Sequence, residues 1–215
     1  MNNKMTLSLV AASLLTAGLS FGAAAHQAGD IIVRAGSATV APNESSPVVA
    51  GIAEFSVDNN TQLGLNFGYM LTDNIAVELL AATPFSHDVA LGDLGVIANT
   101  KHLPPTLVAQ YYFGNAQSAL RPYVGVGVNF TNFFDNDFNQ GAKDLGLDNL
   151  SMSNSWGVAA QVGIDYQIDK KWLVNASVWY AQISTDVSFD LGADHVVIET
   201  DIDPWVYMVS VGYTF

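Results

Sequence analysis

The stretch from Trp205 to Phe215 constrains this chain more than any other. It reads Trp-Val-Tyr-Met-Val-Ser-Val-Gly-Tyr-Thr-Phe. The odd positions Trp205, Tyr207, Val209, Val211, Tyr213 and Phe215 are apolar, with aromatics at both ends. The even positions Met208, Ser210, Gly212 and Thr214 are small and mostly polar. A period of two describes a strand with two unlike faces. Aromatics at the ends with aliphatics between suit a strand that faces lipid, because amphipathic rings settle at the two membrane interfaces.

Composition agrees with a membrane strand protein. Hydrophobic residues make up 50% of the chain and charged ones 13%, against about 25% charged in ordinary globular domains. No stretch after the first residues is long and apolar enough for a spanning helix. Lys4, the apolar run from Met5 to Leu19 and Ala23-Ala24-Ala25 form a secretory leader over residues 1–25, with the cut expected before His26. The mature chain, 26–215, is one domain. It has no cysteine and needs no disulfide framework. The formal net charge of -13 argues against nucleic acid as a partner. An exported, weakly charged chain of alternating strands points to a closed barrel in the cell outer membrane.

Eight strand-like segments follow one another: Asp30–Val40, Thr61–Leu71, Ile75–His87, Lys101–Phe113, Arg121–Phe134, Ser155–Ile168, Trp172–Phe189 and Val196 to the end. Thr72-Asp73-Asn74, Gly114–Leu120 and Asp169-Lys170-Lys171 are short connections; the others are long. The expected fold is therefore all-β: an eight-stranded antiparallel transmembrane β-barrel with short periplasmic turns and four longer extracellular loops. Such a barrel is only wide enough for its own side chains, which excludes a general porin.

Parity along each strand divides lumen from lipid. It sets low and high aromatic belts, the high one comprising Phe85, Phe130, Trp156, Tyr180 and Trp205. About four residues up from the periplasmic turns, Arg34, Glu78, Gln110, Asp165 and Asn175 point inward as a polar floor, with Ser210 near the same level. Charges there are tolerable only when paired or wet, and either a structural plug or a gate fits them. One layer higher, Leu80, Val108, Trp179 and Met208 point inward as an apolar collar. Core packing and a hydrophobic pocket both fit that pattern. Pro84 ends the third strand, and Pro104 and Pro105 begin the fourth. Proline cannot donate to a ladder, so these positions mark either strand ends above the membrane or a lateral opening.

Catalysis is not expected. Ser86-His87-Asp88 and His102 lie near the outer rim, but three adjacent residues on one strand cannot converge on one substrate atom. There is no G-x-S-x-G elbow. Asp135-Asn136-Asp137-Phe138-Asn139 opens like a calcium loop, yet Gln140 and Gly146 stand where Gly and Glu are required. His87, His102 and His195 lack ligand-pair spacing and read as scattered rim histidines. No metal or cofactor is implied.

Several stretches resemble the OmpW family of small outer-membrane proteins. They are Val33–Val40, Asn60–Leu65, Thr72–Phe85, His102-Leu103-Pro104-Pro105-Thr106, Arg121-Pro122-Tyr123-Val124-Gly125 and Asp203-Pro204-Trp205. The resemblance covers essentially the whole mature chain. It implies an eight-stranded barrel with a narrow, hydrophobic lumen that passes small apolar molecules. The C-terminal aromatic strand also resembles the signal by which the outer-membrane assembly machinery reads such barrels, here ending in Phe215. The expected function is thus to bind and pass small hydrophobic solutes, which leave either sideways to the bilayer or into the periplasm. The alternative is a structural or receptor protein whose loops mediate adhesion or bind phage or colicin around an inert lumen. Membrane lipids and lipopolysaccharide are the expected surroundings.

Overall fold

The computed structural model describes residues 26–49 and 51–215; the expected leader, residues 1–25, lies outside them. Fourteen strands follow in chain order. They are β1 (Ile31–Ala41), β2 (Phe55–Val57), β3 (Asn60–Met70), β4 (Ile75–Ala82), β5 (Phe85–Leu91), β6 (Val96–Leu103) and β7 (Thr106–Tyr112). After these come β8 (Leu120–Phe138), β9 (Leu147–Met152), β10 (Ser155–Gln167), β11 (Trp172–Ala181), β12 (Ser184–Leu191), β13 (Asp194–Asp201) and β14 (Trp205–Thr214). One short helix, α1 (Gln140–Asp144), sits between β8 and β9.

Eight of these close on themselves. The neighbours run β10-β11-β14-β1-β3-β4-β7-β8, and β8 pairs back to β10. Every pairing is antiparallel. Closure answers the central demand of the bilayer: with no water in hydrocarbon, each strand amide must find a partner in the wall. The side chains alternate accordingly. Along β14, Val206, Met208 and Ser210 are buried while Tyr207, Val209 and Val211 are exposed to the outside. Two aromatic belts ring the outer face. Trp172 packs edge-on to Tyr213 at the periplasmic end, and Phe130 against Trp156 and Tyr180 against Trp205 mark the other. Among the described residues no helix is long and apolar enough to cross a membrane.

The extracellular part is more ordered than loops would be. The third and fourth expected strands each continue past an interruption, as β5 and β6, which form a hairpin. The seventh and eighth continue as β12 and β13, joined by a tight turn between Leu191 and Asp194 with Gly192 at φ +63°. The stretch Asp190–His195, expected as a loop, is therefore mostly strand. β9 completes a three-stranded sheet with β12 and β13. This upper storey has its own apolar core, where Phe138 meets Phe189 edge-on at 5.8 Å together with Phe55, Ile97 and Leu147.

One member of the expected outer belt lies on the opposite face. Phe85 does not belong to the outer belt; it is 2% exposed and packs inside the barrel with Leu80 and Trp179. The cause lies in register. β4 pairs β7 as far as Leu80–Thr106, and β5 pairs β6 from Phe85–His102. The chain thus spends residues 81–84 on one side against 103–105 on the other. One extra residue moves a strand's side chains to the opposite face. Inward positions are even up to Leu80 and odd from Phe85.

Candidate functional site

The floor decides whether the lumen is open. Arg34, Glu78, Gln110 and Asp165 come from β1, β4, β7 and β10, and all four are buried. The Arg34 guanidinium donates to Glu78 Oε2 and, over 2.5 Å, to Asp165 Oδ2. It also donates to Tyr112 Oη at 2.8 Å. Gln110 and Gln161 donate to Glu78 Oε1 at 2.9 and 3.0 Å. Asn175 donates to Asp165 Oδ1 at 2.7 Å. Each carboxylate thus has both a cationic partner and amide donors, which makes buried charge bearable in a narrow barrel.

Asn175 joins the floor as expected, and His26, Tyr112, Tyr123 and Gln161 complete the plug beyond the expected residues. His26 Nε2 lies 2.8 Å from Asp165 Oδ2, and its carbonyl accepts from Arg121 Nη1 at 3.1 Å. The rings of Tyr112 and Tyr123 pack at 4.8 Å. Gly163 makes room for this: a Cβ there would overlap Cζ and Oη of Tyr123. Inward parity marked Gln161 in the sequence. Tyr112 was legible only as a polar-tipped ring between two lipid-facing aromatics, Tyr111 and Phe113.

Above the floor the interior turns apolar. Leu80, Val108, Trp179 and Met208 belong to one buried cluster with Ala38, Val40, Phe85 and Val206. A cavity of about 30 Å³ sits over this cluster. Leu80 and Trp179 line it, while Val108 and Met208 pack beneath without reaching it. A second cavity of about 50 Å³ lies higher, among Phe55, Ile97, Phe133, Phe138, Met152 and Val187. His102, Val40, Ile183 and Pro204 line both. Each exceeds the roughly 10–15 Å³ that a single water needs, but walls of this kind offer water few partners.

Between the two cavities stands a column of rings. Phe85, His102 and His87 stack, with centroids 5.4 Å apart for Phe85 and His102 and 5.0 Å for the two histidines. The sequence suggested scattered rim histidines; two of them meet here because the shift at Pro84 turns His87 inward. His195 stays apart, paired with Asp190 at 2.8 Å. His87 and His102 lie beyond the outer aromatic belt, in the extracellular extension. Burial pushes the His87 imidazole below its ordinary value. Burial, helped by the neighbouring His87, takes His102 down to about 3. Both rings are therefore neutral at pH 7. Ser86 and His87 point to opposite sides of β5, and Ser86 Oγ bonds Asn99 instead, so no Ser–His pair forms there. Among the described residues no group of three or more His, Cys, Asp or Glu is arranged around a metal position.

Pro84 and the pair Pro104-Pro105 fall inside the interrupted register between β4–β7 and β5–β6. The backbone on both sides turns to its other neighbour. Thr83 N donates to the Leu63 carbonyl, and the Pro105 carbonyl accepts from Phe130 N. Pro104 lines the lower cavity. By contrast, the corresponding break between β11–β14 and β12–β13 is bridged by bonds from Ala181 N to Pro204 and from Ile202 N to Ile183.

Comparison with known proteins agrees with this architecture. The chain is 53% identical over 213 residues to outer membrane protein W of Escherichia coli, covering 99% of each. The crystal structure of the outer membrane protein OprG from Pseudomonas aeruginosa superposes with a TM-score of 0.84 at 44% identity, over 89% of this chain and 98% of that one. The solid-state NMR structure of outer membrane protein AlkL in lipid bilayers gives a TM-score of 0.70 at 28% identity, over 89% and 92%. The OmpW family model matches residues 27–215, and the chain belongs to that family of outer-membrane β-barrels.

Proposed function

We propose that this barrel binds small hydrophobic molecules from outside and releases them sideways into the bilayer. One observation carries the proposal: the apolar cavity above the collar is closed below by Val108 and Met208, with the hydrogen-bonded polar floor beneath them, but lies against the wall at Pro104, where the ladder is interrupted. A solute that reaches Leu80 and Trp179 meets a network of satisfied charge below. Entering that network would leave polar groups without partners. The interrupted ladder offers a cheaper route, since no hydrogen bonds between the two strands need breaking there. Membrane lipids and lipopolysaccharide are then both surroundings and destination. Phe215, exposed and packed on Tyr213, is the feature offered to the assembly machinery.

The test is tryptophan fluorescence of the refolded protein titrated with a long-chain apolar ligand, beside Trp179→Phe. Saturable quenching that disappears in the variant supports a site at the collar. Quenching that survives arises from the lipid-facing Trp156, Trp172 or Trp205. It would turn attention to the extracellular storey as a receptor surface around an inert lumen.

A further inference from the structure

His87 holds an acceptor that nothing satisfies. Its Nδ1 lies 2.7 Å from the backbone carbonyl of Asp58. A carbonyl only accepts, so Nδ1 carries the proton, and in the neutral ring Nε2 is left as a lone pair. The residue is 2% exposed, and Nε2 is buried with no hydrogen-bond partner. A buried acceptor without a donor is unfavourable, and native interiors seldom leave one. His87 also forms part of the wall of the upper cavity, which it shares with His102, Thr100 and Thr200 and otherwise with apolar side chains. Beside it in the same wall, the His102 ring lies nearly parallel to that of His87, at 14°, with Phe85 stacked behind it on the side of the lower cavity.

We infer that the upper cavity selects flat aromatic molecules that carry one hydroxyl or N–H group, and that this group donates to His87 Nε2. Stacked rings favour a planar ligand in an offset or edge-on arrangement. The lone pair demands a donor, so an ether or plain hydrocarbon of the same shape leaves it unmet. A site that hydrogen-bonds a ligand group discriminates against the analogue lacking it far better than an apolar pocket discriminates by size. The inference rests on the binding barrel proposed above and narrows its substrate class.

Equilibrium dialysis of proteoliposomes against protein-free vesicles of the same lipid tests it, with 1-naphthol and its methyl ether as the probes. The wild-type barrel is expected to bind 1-naphthol on the order of tenfold more tightly than the ether. In His87→Phe the two should bind alike, with affinity for the ether retained. A second measurement needs no variant: the Nε2 resonance of ¹⁵N-histidine-labelled protein should move with 1-naphthol and not with the ether. Equal binding in the wild type, a preference that survives in His87→Phe, or an unmoved Nε2 resonance overturns the donor requirement while leaving the barrel a binder. Saturable binding of neither probe overturns the binding barrel as well.

Discussion

Arg34 on β1 reaches Asp165 on β10 inside the barrel, Nη2 to Oδ2 at 2.5 Å, while its other terminal nitrogen holds Glu78. One cation thereby ties together two carboxylates from well-separated strands. Removing it should be far worse than removing all three charges. Arg34→Leu leaves two buried carboxylates facing each other and is expected to cost about 3–5 kcal/mol. Arg34→Leu combined with Glu78→Leu and Asp165→Leu should recover part of that loss. Urea unfolding of the barrel in lipid vesicles provides both numbers. A triple variant no more stable than the single one would show that the amide and tyrosine partners, not charge balance, dominate the floor.

Gly163→Ala offers a second test of the floor. Its new methyl group would collide with the Tyr123 ring, and overpacking of this kind costs about 1–3 kcal/mol. The Tyr123 hydroxyl, which accepts from Asn175 at 2.8 Å, would have to move. Tyr123→Leu should cost stability alone but absorb the Gly163→Ala penalty in the double variant. Additive losses, measured by the same unfolding, would mean that the two residues do not share one space.

Acid should loosen the extracellular storey. His102 is held neutral, with its value lowered to about 3 by burial, and His87 is shifted in the same direction. In the unfolded chain a histidine takes a proton near pH 6.5. Above that pH neither state binds the proton and stability is unaffected. Between about 6.5 and 3 the unfolded segment gains protons that the folded one refuses, so stability falls as pH drops. Protection factors of the amides in β5 and β6, taken against the intrinsic exchange rate at each pH, should therefore fall between pH 7 and pH 4.5, and His102→Phe should blunt the change. Protection factors that are the same at both pH values would contradict the burial of these rings.

The barrel was legible because lipid outside and side chains inside write a period of two on every spanning strand. The floor was legible for the same reason: Arg34, Glu78, Gln110 and Asp165 all sit at inward positions counted from short turns. The upper site was not. A single extra residue around Pro84 reverses the phase, so Phe85 and His87, which alternation assigned elsewhere, point into the barrel. Nothing local announces such a shift except the proline itself. His26 escaped notice because it precedes the first strand and belongs to no periodic pattern, yet it bonds Asp165. Of the three-stranded upper sheet, β12 and β13 fell largely within the expected seventh and eighth strands, and only β9 was hidden, in an Asp/Asn/Gly-rich stretch that reads as loop.

The most direct test of a sealed floor with a side exit is photolabelling. Vesicles containing the barrel would be loaded with an alkyl diazirine from the outside, irradiated, and the adducts mapped by mass spectrometry. Adducts should fall on Leu80 and Trp179 and on the edges of the unpaired wall, residues 81–84 and 103–105. None should fall on Arg34 or Glu78. Labelling confined to the outer face, such as Val126 and Val209, would contradict an internal route, and labelling of the floor residues would contradict the side exit.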